Sequence, residues 1–140
     1  MATTSCSPRV IDKFKCARLG LGRGALADLP HHKPISQRAF ATLVFNWYIA
    51  NNDMPEAFAN QRTVFSRNVI SFLEGGRPVS EAKLVVLTDY LSKAQGVNVE
   101  YLLSGGDLSP DDKAIKAHFY GTVYWPAKEV GGCLFRGVLL

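Results

Sequence analysis

Apolar and polar positions alternate with a helical period through the middle of the chain. Between Gln37 and about Ala50, Phe40, Leu43, Val44, Trp47 and Tyr48 fall at i, i+3, i+4, i+7 and i+8, which predicts an amphipathic helix capped by Ser36. Asn51-Asn52-Asp53 stops it, and Asp53 with Glu56 can cap a second helix reciprocally, from Met54 to about Gln61. Arg62-Thr63-Val64-Phe65 reads as a turn. Ser66 then caps a third helix whose Val69, Ile70, Phe72 and Leu73 face the core or its edge, and Gly75-Gly76 ends it. Ser80 caps a fourth helix, Glu81 to about Ala94, that buries Leu84, Leu87 and Leu91, with Gly96 closing it at positive φ. A fifth helix, Val99 to Leu103, inserts Tyr101 and Leu102 or Leu103 into the base of the bundle.

The flanks read differently. In the first 35 residues Gly20, Gly22, Gly24, Pro30 and Pro34 interrupt any long periodicity, so that segment is expected to be mostly irregular, with room for a short helix near Val10 to Leu19. Beyond Gly106, Ser109-Pro110-Asp111-Asp112 is a helix start, with a hydroxyl cap, proline at N1 and two acids at the positive end of the dipole. That helix is expected to end near Phe119. Thr122 to Trp125 and Cys133 to Leu140 are β-prone runs separated by Pro126 and Gly131-Gly132, which predicts a hairpin.

Charge sharpens this division. The chain of 140 residues carries a net charge of +4, and the whole excess lies in residues 1–35, where Arg9, Lys13, Lys15, Arg18, Arg23 and Lys33 face only Asp12 and Asp28. Such a segment suits either a basic arm lying along phosphates or a solvated tail. Cys6, Cys16 and Cys133 are odd in number and scattered, which fits reduced thiols and a cytoplasmic protein better than a disulfide framework. No run is apolar enough to span a membrane, and the N-terminus lacks a signal-peptide core.

Phe58-Ala59, then Ile70-Ser71-Phe72-Leu73-Glu74-Gly75-Gly76, then Gly96-Val97-Asn98-Val99-Glu100-Tyr101-Leu102-Leu103-Ser104-Gly105 occur in an order that resembles the lambda-repressor and Cro-like (XRE-type) helix-turn-helix family. The resemblance covers roughly residues 37 to 105. It implies a mainly α fold: a five-helix lambda-repressor-like helix-turn-helix domain over 36–106, preceded by a basic N-terminal arm over 1–35. A C-terminal helix plus β-hairpin over 107–140 follows as the candidate dimerisation element. Between Ala59 and Ile70 the chain has one residue more than the family's usual spacing, and Thr63 stands near a position where glycine is common there.

The resemblance further implies a sequence-specific regulator of transcription, a dimeric repressor of phage or prokaryotic type, binding double-stranded DNA as a homodimer. Arg67 is suited to guanine and Asn68 to adenine, with Ser66 and Ser71 beside them; Arg62, Thr63 and Arg77 are candidates for phosphate. A second possibility is a protein-binding module on the same scaffold, an antitoxin or an inhibitor of host machinery, since residues 36–105 hold equal numbers of each charge. No enzyme, cofactor or metal is expected: His31-His32 with Cys6 and Cys16 match no compact zinc spacing, and the N-terminal glycines lack the setting of a phosphate loop.

Overall fold

Ser7-Pro8 starts the first helix: the Ser7 hydroxyl accepts a hydrogen bond from the Val10 amide at 3.4 Å, and proline occupies a position whose N–H has no helical partner. In the computed structural model, which describes residues 2–52 and 60–122, this helix is α1 (Pro8–Leu19). It is followed by a 3-10 turn (Leu26–His31), α2 (Gln37–Asn51), α3 (Gln61–Val64), α4 (Arg67–Glu74), α5 (Glu81–Asp89), a π-helical turn (Tyr90–Ala94), α6 (Val99–Leu103) and α7 (Pro110–Thr122). Two short strands, β1 (Thr3–Thr4) and β2 (Val79–Ser80), pair antiparallel, with Thr3 opposite Ser80 and Thr4 opposite Val79. The chain is thus mainly helical, with one small two-stranded sheet among the described residues. None of the described helices is long and apolar enough to cross a membrane.

The chain divides into two compact units. One comprises residues up to Leu21 together with Lys33–Leu108; the other comprises Gly22–His32 together with residues from Ser109 on. The first unit takes in α1, from within the segment expected as an arm over residues 1–35. Val10 and Phe14, one turn apart on α1, are buried in the same core as Phe40, Val44, Ile70, Leu73 and Leu87. Burying such side chains stabilises by about 1.5–3 kcal/mol each, which an arm lying free in solvent would forgo. The charge pattern pointed outward, but the i, i+4 apolar pair decides the outcome.

Two of the segment's cations serve the interior. Lys13 is 1% exposed, and its Nζ donates to the carbonyls of Tyr101 and Ser104 at 2.9 and 3.0 Å and to Ser104 Oγ at 2.9 Å. It lies 4.5 Å from the centre of the Tyr101 ring, so it closes the carbonyl end of α6, where a cation is favoured. Arg18 makes a bidentate ion pair with Glu74 through Nε and Nη2 at 2.7 and 2.8 Å, and Nη1 donates to the Ile35 carbonyl at 2.7 Å. Gln37 Nε2 donates to the same carboxylate at 3.2 Å. One acid at the end of α4 therefore ties together α1 and the first residue of α2, while Arg18 also reaches back to Ile35 just ahead of that helix.

α2 is capped as expected, the Ser36 hydroxyl accepting from Ala39 N at 3.1 Å. Its buried stripe is rotated from the expected one: Ala41 and Val44 are fully buried, whereas Leu43 is 42% exposed. Ala41 is buried in the core cluster, and α4 is the element α2 packs against most extensively. Tyr90 of the π turn takes the edges of Phe40 and Trp47 at 6.0 and 5.8 Å.

The region between α2 and α4 differs from expectation where it is described. Residues 53–59, which include Phe58 and Ala59 and most of the expected second helix, lie outside the described residues. The expected turn at 62–65 is instead helical: Val64 and Phe65 amides bond to the Asn60 and Gln61 carbonyls at 2.9 and 2.8 Å. Thr63 therefore has right-handed backbone, and the connection to α4 contracts to Phe65-Ser66, with Phe65 fully buried. Ser66 and Ser80 occupy N-cap positions, but neither hydroxyl makes a capping bond. At the other end of α4, Gly76 at φ +77° lets Gly76 N and Arg77 N return to the Leu73 and Phe72 carbonyls at 3.1 and 2.8 Å.

The expected fourth helix runs as α5 and then widens into the π turn before Gly96, at φ +71°, reverses the chain. In α6, Asn98 Oδ1 caps Tyr101 N at 3.0 Å, and Leu102 rather than Leu103 is buried. In the second unit, Ser109 Oγ accepts from Asp112 N at 3.2 Å, and α7 reaches Thr122, past the expected end. Leu29 and Ile115 are buried there, Arg23 pairs with Asp111 at 2.8 Å, and Phe119 takes His32 and half-buried His118 edge-on. The predicted hairpin, with runs Thr122 to Trp125 and Cys133 to Leu140, lies outside the described residues except for Thr122, the last residue of α7.

Candidate functional site

α4 is strongly two-faced. Val69, Ile70 and Leu73 enter the core, while Arg67, Asn68 and Phe72 are exposed and Ser71 is half-buried between them. The outward positions 67, 68, 71, 72 follow the helical repeat, so they share one face. Because the buried residues lock the helix against α2, that face has a fixed orientation.

At its N-terminal end the helix completes an open concavity of about 450 Å³, lined by Arg38 and Thr42 of α2, Gln61 of α3, Ser66, and Arg67 and Asn68 of α4. Thr42 Oγ1 donates to the Arg38 carbonyl at 3.1 Å and accepts from Gln61 Nε2 at 3.2 Å, which pins the first residue of α3 to the outer face of α2. None of the described lining residues is acidic. With no capping hydroxyl, the first turn of α4 also presents the positive end of its dipole on this side.

Of the residues picked from sequence, Ser66, Arg67 and Asn68 are brought together here, and Ser71 stands one turn further along the same helix. Arg62 and Thr63 belong to α3, and their side chains lie outside what the structure describes. Arg77 is not part of the concavity. Its guanidinium carbon sits 4.3 Å from the centre of the Phe72 ring, at the far end of α4. Arg38, Thr42 and Gln61 were missed by sequence reasoning. The signal for the first two was present: Arg38 and Thr42 are i, i+4 polar positions on a helix otherwise rich in apolar residues.

Within α4 no acid opposes the exposed arginines. Glu74, the one acid within α4, is consumed by Arg18, and its side chain is 7% exposed. Arg38, Arg67 and Arg77 remain exposed around the helix. Cys6 is half-buried and Cys16 buried within the first unit, while His31 and His32 belong to the second. Comparison of the chain with protein-family models, with curated proteins and with solved structures finds no match in any of the three.

Proposed function

We propose that the chain is a sequence-specific, double-stranded-DNA-binding regulator of transcription, a homodimeric repressor of the phage or prokaryotic kind acting in the cytoplasm. The observation that carries this reading is the concavity in which Arg38, Gln61, Arg67 and Asn68 converge at the start of an outward-facing helix. In this reading α2 corresponds to the first helix of the lambda-repressor-like fold, α4 to its recognition helix, and α5 with its π turn and α6 to its fourth and fifth. α4 enters the major groove with its N-terminal end foremost.

The chemistry of each side chain then assigns its role. Arg67 donates a forked pair of hydrogen bonds to the O6 and N7 of guanine, and Asn68 pairs with N6 and N7 of adenine, each discriminating by about 1–3 kcal/mol. Arg38, with Thr42 and Gln61 holding the groove wall, faces the phosphate strand beside the helix, where it fixes affinity and register without reading sequence. One such helix covers few base pairs. A second copy doubles the contacts and imposes a two-fold symmetric site, and the apolar residues beyond Phe119 are the candidate surface for it.

The test is selection from a pool of random duplexes by the full chain. A short palindrome should be enriched, and Arg67→Ala should abolish that enrichment while leaving the fold intact by circular dichroism. Absence of any enriched motif, together with recovery of a stoichiometric protein partner that duplex DNA does not displace, would replace this reading with a protein-binding module.

A further inference from the structure

Phe72 is 36% exposed, unlike its neighbours Val69, Ile70 and Leu73, which are buried. An aromatic ring held in water on an otherwise polar helix face forgoes burial, and it shares that face with Arg67, Asn68 and Ser71. It is also held in place. Arg77 N closes the helix end on the Phe72 carbonyl at 2.8 Å, and the Arg77 guanidinium stacks on the ring at 4.3 Å. The ring is therefore a fixed apolar surface about one and a half helical turns from the start of α4, between Arg67 and Arg77 in the chain, with the nearby acid Glu74 paired to Arg18.

Resting on the DNA-binding reading above, we propose that Phe72 is a specificity-determining residue that takes the 5-methyl group of a thymine in the major groove. Thymine is the one base that offers an apolar group in that groove, and a phenyl ring is among the side chains that accept it. The surroundings match a duplex as occupant: the methyl lies between phosphate strands, and the ring lies between two arginines. The stacked arrangement also gives Arg77 a purpose beyond charge. Its cation reaches the backbone phosphate beside the thymine while its flat face keeps the ring from turning away.

The experiment uses the duplex enriched by the full chain, remade with each thymine replaced singly by deoxyuridine, which removes the methyl and leaves the base pair unchanged. At one position per half-site the substitution is expected to weaken wild-type binding roughly fourfold, the value of one methyl-sized apolar group withdrawn from water. In Phe72→Ala that sensitivity should vanish, so both duplexes bind equally; in Phe72→Leu it should persist in part. Circular dichroism and thermal melting of each variant establish that it is folded. A wild-type protein indifferent to every deoxyuridine substitution, or a Phe72→Ala variant that still distinguishes the two bases, overturns the proposal while leaving DNA binding intact. Failure to enrich any duplex removes both readings together.

Discussion

Arg18 of α1 grips Glu74 of α4 through two parallel hydrogen bonds at 2.7 and 2.8 Å, with both side chains largely withdrawn from solvent. A planar guanidinium matched to a carboxylate in this way fixes angle as well as distance. The first helix thereby sets where the last turn of α4 lies, and it removes the acid that would otherwise oppose a polyanion there.

Breaking this pair from one side should be costly. Arg18→Met leaves Glu74 without its cation and is expected to lower stability by about 3–5 kcal/mol in urea denaturation, whereas Arg18→Met combined with Glu74→Leu should recover most of that loss. Equal destabilisation by the single and the double variants would show that α1 is held mainly by its apolar contacts.

Lys13 offers an independent check on α1. Lys13→Met keeps the stem's volume but abandons three acceptors at the end of α6, and a loss of about 1–3 kcal/mol is expected by thermal or urea unfolding. Lys13→Arg should not rescue it, because the larger planar group does not fit a site where the lysine is 1% exposed.

Gly76 separates backbone strain from steric crowding. A Cβ there would meet Ile11 Cδ1 at 3.7 Å, an ordinary contact, so Gly76→Ala should cost only the left-handed backbone, about 1–2 kcal/mol. Gly105→Ala, with open space around it and no positive φ, should be neutral or stabilising by at most about 1 kcal/mol. Melting temperatures of the two variants provide the comparison.

Salt dependence distinguishes strand contacts from base contacts. Arg38→Gln is expected to weaken binding uniformly across sequences and to lower the slope of log affinity against log salt by about 1, while Asn68→Ala should relax the preferred motif at one position. Fluorescence anisotropy over a salt series measures the first, and repeated selection the second.

Burial raises the pKa of the Cys6 thiol above its ordinary value. At mildly alkaline pH, in a Cys133→Ser background, Cys6 should react with a disulfide reagent more slowly than a free thiol, and buried Cys16 more slowly still. The sign for stability follows: the folded state holds the proton more tightly, so its contribution is complete below the free thiol's pKa and is lost as pH rises through the folded value. Stability of Cys6→Ser should consequently fall less at alkaline pH than that of the parent.

The amphipathic periods of α2, α4 and α5 and the capping residues Ser36 and Ser109 were legible in the sequence because they depend on local spacing. What escaped was tertiary. The core position of Val10 and Phe14 was hidden by the glycines and charges around them, and the internal use of Lys13 and Arg18 depends on acceptors far along the chain. Ala41 took the place of Leu43 in the core, which periodicity alone does not reveal. Within the candidate site, Arg67 and Asn68 were readable from their place after a cap. Arg38, Thr42 and Gln61 join them only through the packing of α2 against α3 and α4, and Phe72 was assigned to the core edge by hydrophobicity when exposure places it outside.

The cation at Lys13 finds its three acceptors 88 and 91 residues downstream, and Thr3 of β1 likewise pairs with the distant Ser80 of β2. During synthesis, therefore, α1 can meet α2 and α4 well before α6 exists for Lys13 to close upon. Contacts of such separation are formed late and slowly. A nascent chain paused short of Tyr101 lacks every one of those acceptors, so water holds the Lys13 ammonium until α6 is complete and the seam between α1 and α6 is the last part of this core to close.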